Sequence, residues 1–213
     1  MSRTRIKICG IRDEEALFAA AESGADAVGF VFHLQSKRFI EPDEAWELVG
    51  MLPPFVASVG LFVNASVEKF SDMEERCPTT FSQLHGDESI EVVKQCGPGV
   101  IKAVRFDAAT IASELSKWNA VDEVDAILID GSAGGEGTSF DWAGLAADKA
   151  PTSKPIILAG GLTANNVGEA IRVVRPWGVD VSSGVENAPG EKDAAMIEAF
   201  CRAVMRADAA RAL

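Results

Sequence analysis

Cys9 ends the short apolar run RIKIC, one residue before Gly10. A lone cysteine in such a run is commonly a small buried hydrophobe. It is equally well placed to act as a base at the mouth of a site. Asp130 closes ILID, and a carboxyl ending an apolar run is costly to bury unless it is hydrogen-bonded or used. A helix cap or a loop brace would also account for Asp130. An acid and a base on opposite sides of a sugar carbon are a workable arrangement for isomerisation. Asp180, inside GVDVSSG, is a third candidate.

Two further stretches suit an anion. ILAGGL carries Gly160 and Gly161, and GVDVSSGVE carries Ser182, Ser183 and Gly184. Glycines let backbone approach a ligand closely, and N–H groups at a helix start point at negative charge. Simple turns are the other explanation for these glycines. Arg38, beside Lys37 in QSKRF, offers a planar fork that fits a carboxylate, although basic loop pairs are usually solvated. His85 in QLHGD is placed to look into a site or to brace its own loop.

These residues need a scaffold, and the pattern supplies one. Short apolar runs alternate eight times with amphipathic segments, from RIKIC and DEEALFAAAESG to GVDVSSG and KDAAMIEAFCRAVMRADAA. Ser66 is read as opening the third helix and Thr163 the seventh. Several runs are apolar on both faces, as buried parallel strands are. Eight uninterrupted β-then-α units in 213 residues predict an α/β fold, a single-domain (β/α)8 barrel over residues 1–213. Such barrels keep their chemistry on the C-terminal face, with a recurrent phosphate site after strands seven and eight. Strands one and six are not neighbours in the ring, so Cys9 and Asp130 are expected to face each other across its mouth. The long loops HLQSKRFIE and GSAGGEGTS fall on the same face.

The bulk numbers exclude other classes. Lys plus Arg number 20 and Asp plus Glu 32, a net charge of −12, which argues against nucleic acid or an anionic membrane as partner. The four cysteines form no CxxC pair and no zinc spacing with the two histidines, so no metal or cofactor is expected. No signal-peptide core and no run of ~18 apolar residues is seen, and the expected setting is cytoplasmic. No helix face demands a partner, so a monomer is expected. Cys77, Cys96, Cys201 and the four tryptophans are read as structural or peripheral.

The ordered set KICGI, GADAVGFVF, SKRFI, VGLFVN, QLHGDE, IKAV, LIDG followed by GGEGTSFDW, ILAGGL, and GVDVSSGVE with PGEKD resembles the phosphoribosylanthranilate isomerases of tryptophan biosynthesis. The resemblance spans nearly the whole chain. It implies Cys9 as general base, Asp130 as general acid and Arg38 as the group holding the anthranilate carboxylate. It implies phosphate held by backbone around Gly161, Ser183 and Gly184, and Asp180 near the sugar hydroxyls. The implied reaction is an Amadori rearrangement of a sugar phosphate, with no metal because the substrate nitrogen is the electron sink. A thiol with pKa near ~8.5 is a poor base at neutral pH, so either something lowers it or the thiolate fraction limits the rate. Two positions depart from the family pattern. The loop after strand six, often GGTG followed by a basic residue in the family, reads Gly134-Gly135-Glu136-Gly137-Thr138 here, and Glu136 is expected to face solvent. His33 follows GFVF where an aromatic or small residue is usual.

Other functions fit less well. The sister isomerase of histidine biosynthesis places Asp where this chain has Cys9, and its half-barrels resemble each other. A pentose-phosphate epimerase needs several metal-ligand histidines. A non-catalytic phosphate-binding barrel would have no reason to keep Cys9, Asp130 and Arg38 together.

Overall fold

The computed structural model describes residues 3–131, 141–148 and 152–211. Glu136 lies outside the described residues. Eight strands close in chain order: β1 (Arg5–Cys9), β2 (Ala27–Val31), β3 (Ala57–Phe62), β4 (Phe81–Leu84), β5 (Val100–Arg105), β6 (Val124–Asp130), β7 (Ile156–Ala159) and β8 (Gly178–Val181). All are parallel, and β8 returns to β1 with Lys7 opposite Asp180. Helices follow each strand: α1 (Glu14–Glu22), α2 (Pro42–Val49), α3 (Val67–Arg76), α4 (Ile90–Cys96), α5 (Ile111–Asn119), α6 (Trp142–Asp148), α7 (Val167–Val174) and α8 (Ala194–Arg211). The chain is therefore the (β/α)8 barrel that its pattern predicts.

Strand alternation divides the core in two. Ile6, Ile8, Val28, Phe30, Ile127 and Ile129 point outward and pack with the helices into the main cluster. Val59, Ile101, Ala126, Leu128 and Ile157 point inward and fill the lower barrel. Cys9, Val31 and Leu61 form a small cluster just below the C-terminal mouth. Because this alternation is strict, Asp130 at the end of β6 and Cys9 at the end of β1 both face the interior.

Local signals start several helices where expected. The side chains of Asp13, Ser66 and Ser89 accept the N–H groups of Ala16, Lys69 and Val92. Two details differ from the sequence reading. The seventh helix begins at Val167, with Asn166 rather than Thr163 at its cap. Asn166 spends its side chain on the preceding loop: Oδ1 accepts the Thr163 N–H and Nδ2 donates to the Gly161 carbonyl, each at 2.8 Å. The segment after β8 is also more structured than the pattern suggests. A 3-10 turn over Ser183–Val185 leads into a hairpin, β9 (Glu186–Ala188) and β10 (Glu191–Lys192). Pro189 and Gly190 form its tip, with Gly190 at φ 89°.

One buried ion pair holds the exit of β4. Lys102 Nζ donates to the carbonyls of Leu84 at 3.1 Å and Gly86 at 2.7 Å, and lies 2.9 Å from Glu88 Oε2. The Glu88 carboxylate accepts the N–H groups of Asn64 and Gly86. His85 is thus clamped at the peptides on both sides. Burial pushes the Glu88 carboxyl up, but Lys102 and these N–H groups outweigh it and hold it below its ordinary value. Its stabilisation is therefore present above a free carboxyl's pKa, near ~4.3, and is lost as pH falls. Lys102→Met should cost about 3 kcal/mol, because Glu88 is left as an unpaired buried charge. Urea denaturation at pH 7 measures this, and the difference from wild type should shrink as the pH is lowered through 4.

Candidate active site

The C-terminal mouth holds a cavity of about 790 Å³. Its lining includes Cys9, Arg38, His85, Asp130, Gly160, Gly161, Asp180, Ser182, Ser183 and Gly184. The structure thus brings together every residue that the sequence singled out for the site.

Cys9 sits on the floor of this cavity and is 4% exposed. A glycine opposite makes room for it. A Cβ on Gly29 would lie 2.9 Å from Cys9 Sγ and 3.1 Å from Lys7 Nζ. The thiol and the Lys7 ammonium are therefore near neighbours, both pointing into the barrel from β1. Lys7 Nζ is 2.9 Å from Asp180 Oδ1, and both side chains are buried. Burial works against the Lys7 charge, but Asp180 and then Cys9 outweigh it and hold the ammonium above its usual range.

For Cys9 the balance goes the other way. Burial pushes the thiol up, Lys7 pulls it down, Asp180 pushes it up and Lys192 pulls it down. Burial wins, and the net direction is upward. Of the two possibilities the sequence left open, a depressed pKa and a limiting thiolate fraction, this balance favours the second. Cys77 and Cys96 are pushed to about 11 and Cys201 to about 12, by burial away from the mouth.

Arg38 crosses Gly10, whose φ of 85° and missing Cβ let the Arg38 stem pass; a Cβ there would sit 2.8 Å from Arg38 Cδ. Its Nε and one terminal nitrogen donate to the two carboxylate oxygens of Glu186, at 2.7 and 2.9 Å. Glu186 also accepts from Lys192 Nζ at 2.6 Å, and Lys192 donates to the Ser182 carbonyl at 3.1 Å. Ser182 Oγ in turn donates to the Cys9 carbonyl at 3.0 Å. One edge of the guanidinium fork is thus spent on orientation within the protein, and the other faces the cavity.

Across the mouth, Asp130 Oδ2 lies 3.3 Å from His85 Nε2. Gly160, at φ 88°, passes beside Asp130; a Cβ there would meet Asp130 Oδ1 at 2.7 Å. Gly160 is thus more than a turn residue, since it leaves the volume that the Asp130 carboxyl occupies. Among the described residues, no group of three or more His, Cys, Asp or Glu is arranged to hold a metal ion.

The arrangement can hold an anion at the glycine–serine loops and a carboxylate at Arg38, with a thiol and a carboxyl from non-adjacent strands between them. The family model for N-(5'-phosphoribosyl)anthranilate isomerase matches residues 6–203. This chain belongs to the phosphoribosylanthranilate isomerase family. It is an isomerase of tryptophan biosynthesis. It is 48% identical over 211 residues to the N-(5'-phosphoribosyl)anthranilate isomerase of Pseudomonas putida strain GB-1, covering 97% of this chain and all of that one. A structure of monomers generated from the dimeric isomerase of Thermotoga maritima aligns with TM-score 0.83 and 38% identity, over 95% of this chain and 99% of that one. A phosphoribosylanthranilate isomerase solved with reduced 1-(o-carboxyphenylamino)-1-deoxyribulose 5-phosphate aligns with TM-score 0.82 and 40% identity, over the same shares.

Sequence reasoning missed Lys7, Gln83, Glu186 and Lys192. The signal for the first two was present: Lys7 stands two residues before Cys9 and Gln83 two before His85, on the same strand face. Glu186 and Lys192 are joined only by a hairpin that the pattern did not reveal.

Lys7→Met should move the midpoint of Cys9 alkylation to higher pH, measured with iodoacetamide in a background where the other three cysteines are serine. An unmoved midpoint would separate Lys7 from the thiol. Gly160→Ala should cost about 1–3 kcal/mol in thermal unfolding and also lower turnover, because the methyl at a positive φ meets the Gly131 backbone nitrogen and the Asp130 carboxyl.

Proposed function

We propose that this isomerase works by general acid–base catalysis with Asp130 as the acid and Cys9 as the base. Asp130 gives its proton to the ribose ring oxygen of N-(5'-phosphoribosyl)anthranilate, and the ring opens to a Schiff base. The Cys9 thiolate takes the proton from sugar C2, and the electrons flow to the substrate nitrogen. The resulting enolamine takes a proton back and relaxes to 1-(2-carboxyphenylamino)-1-deoxyribulose 5-phosphate. No metal is required, because the nitrogen serves as electron sink. Arg38 presents its cavity edge to the anthranilate carboxylate. Backbone at Gly160, Gly161, Ser182, Ser183 and Gly184 holds the phosphate. Asp180, His85 and their neighbours lie along the ribose.

The single observation that carries this reading is that Cys9 and Asp130 line one cavity from β1 and β6, which are three strands apart. The Lys7 and Lys192 ammoniums support it, since each favours the thiolate that the base must become. Four free thiols suit a reducing compartment, the cytoplasm. We take the monomer as the working assembly, and light scattering tests it.

The chemical test is turnover of phosphoribosylanthranilate with EDTA present. Wild type should be active, and Cys9→Ala and Asp130→Asn should each lose at least ~10²-fold in kcat, the scale of a lost proton-transfer group. Because burial holds the thiol up, wild-type kcat should still be climbing with pH above 8. A Cys9→Ala variant as fast as wild type would reduce Cys9 to packing.

A further inference from the structure

Gln83 has no part in the proposed chemistry, yet it contacts the imidazole that faces Asp130. It lies inside the barrel on β4 and is wholly buried. Its Nε2 is 2.8 Å from His85 Nδ1. On the other side of the ring, His85 Nε2 faces Asp130 Oδ2 at 3.3 Å. The histidine backbone has little freedom: its N–H donates to the Phe62 carbonyl, and Lys102 holds the carbonyls of Leu84 and Gly86 on either side. With the ring so fixed, its tautomer remains as the variable.

We propose that Gln83 is a positioning residue that holds neutral His85 with its proton on Nε2, the nitrogen facing Asp130. A neutral imidazole carries one N–H and one lone pair. With the Gln83 amide N–H directed at Nδ1, that nitrogen must be the acceptor, so the proton sits on Nε2. The opposite amide orientation is worse. The present one leaves one buried carbonyl, Gln83 Oε1, without a partner among the described residues. Turned over, it would leave two buried N–H donors in that place instead of one acceptor.

The consequence concerns the acid, and it rests on the assignment of Asp130 to that role. A bare Nε2 would accept a hydrogen bond from the protonated Asp130 carboxyl and draw its proton away from the substrate. A protonated Nε2 cannot accept. It donates to one carboxyl oxygen, leaves the proton on the other oxygen free to go to the ribose ring oxygen, and stabilises the carboxylate that remains. Gln83 thereby acts on catalysis through His85 without touching the reacting atoms.

The chain has only two histidines, His33 and His85. Ring 15N NMR of the labelled full-length protein above the imidazole pKa reads both tautomers, and His85→Ala assigns the signals. The expected wild-type result is an unprotonated Nδ1 and a protonated Nε2 at His85. Gln83→Leu should remove that preference and lower kcat by about tenfold with KM little changed, the size of effect seen when a partner that orients a functional imidazole is lost. Gln83→Glu, which can only accept, should shift the proton onto Nδ1 and lower kcat further. A wild-type spectrum with the proton on Nδ1 would overturn the proposal whatever the variants do. So would a Gln83→Leu enzyme with wild-type tautomer and kcat. An active Asp130→Asn enzyme would instead remove the acid assignment, leaving the His85 tautomer to be judged by the spectrum alone.

Discussion

The ion pair between Lys7 and Asp180 joins the first strand to the last. The two residues are opposite each other in the β1–β8 ladder, and their charged groups meet at 2.9 Å inside the barrel. Buried pairs rarely add net stability over a well-packed apolar pair, but losing one partner strands a charge and is strongly destabilising. The pair therefore works as a specification. Barrel closure in this register is what brings the two charges together. It also puts a permanent cation beneath Cys9.

Above that pair the site is a set of charges arranged by tertiary contact. The chain carries a net −12, yet Lys7, Arg38 and Lys192 gather around the mouth. Glu186 offsets part of that charge and fixes the geometry of two of the three cations. The result is a site that receives an anionic substrate on an acidic protein. Two carboxylates, Asp180 and Glu186, orient the basic groups, while a third, Asp130, faces His85 across the mouth. Burial raises the Cys9 thiol even so. At Cys9 burial and the neighbouring ammoniums thus act in opposite directions.

The Asp130 side is built differently. Asp130 faces His85, which is held in turn by Gln83 and by the clamp of Lys102 and Glu88. Gly160 leaves the carboxyl its volume. One side of the mouth thus carries fixed charge beside a thiol and the other a hydrogen-bonded imidazole beside a carboxyl, an asymmetry that suits the proposed division into base and acid.

Much of this was legible in one dimension. Eight alternating units determined the barrel, because strand and helix periods are local and eight of them close a ring. Strand ends located Cys9, Asp130 and His85, and the Gly160–Gly161 pair and the Ser182–Ser183–Gly184 run located the two loops, because side chains at strand ends and small residues before a helix follow from local pattern. The tertiary structure alone decided what each of them touches. Thr163 looked like a helix cap until Asn166 was drawn to the Gly161 carbonyl. Arg38 looked free until the hairpin after β8 brought Glu186 to it from 148 positions away. Lys7 and Asp180 are separated by 173 positions, and nothing local pairs the one with the other. A sequence determines which way a side chain points on its own element. Which charge meets it there depends on ring closure, a property of the whole chain.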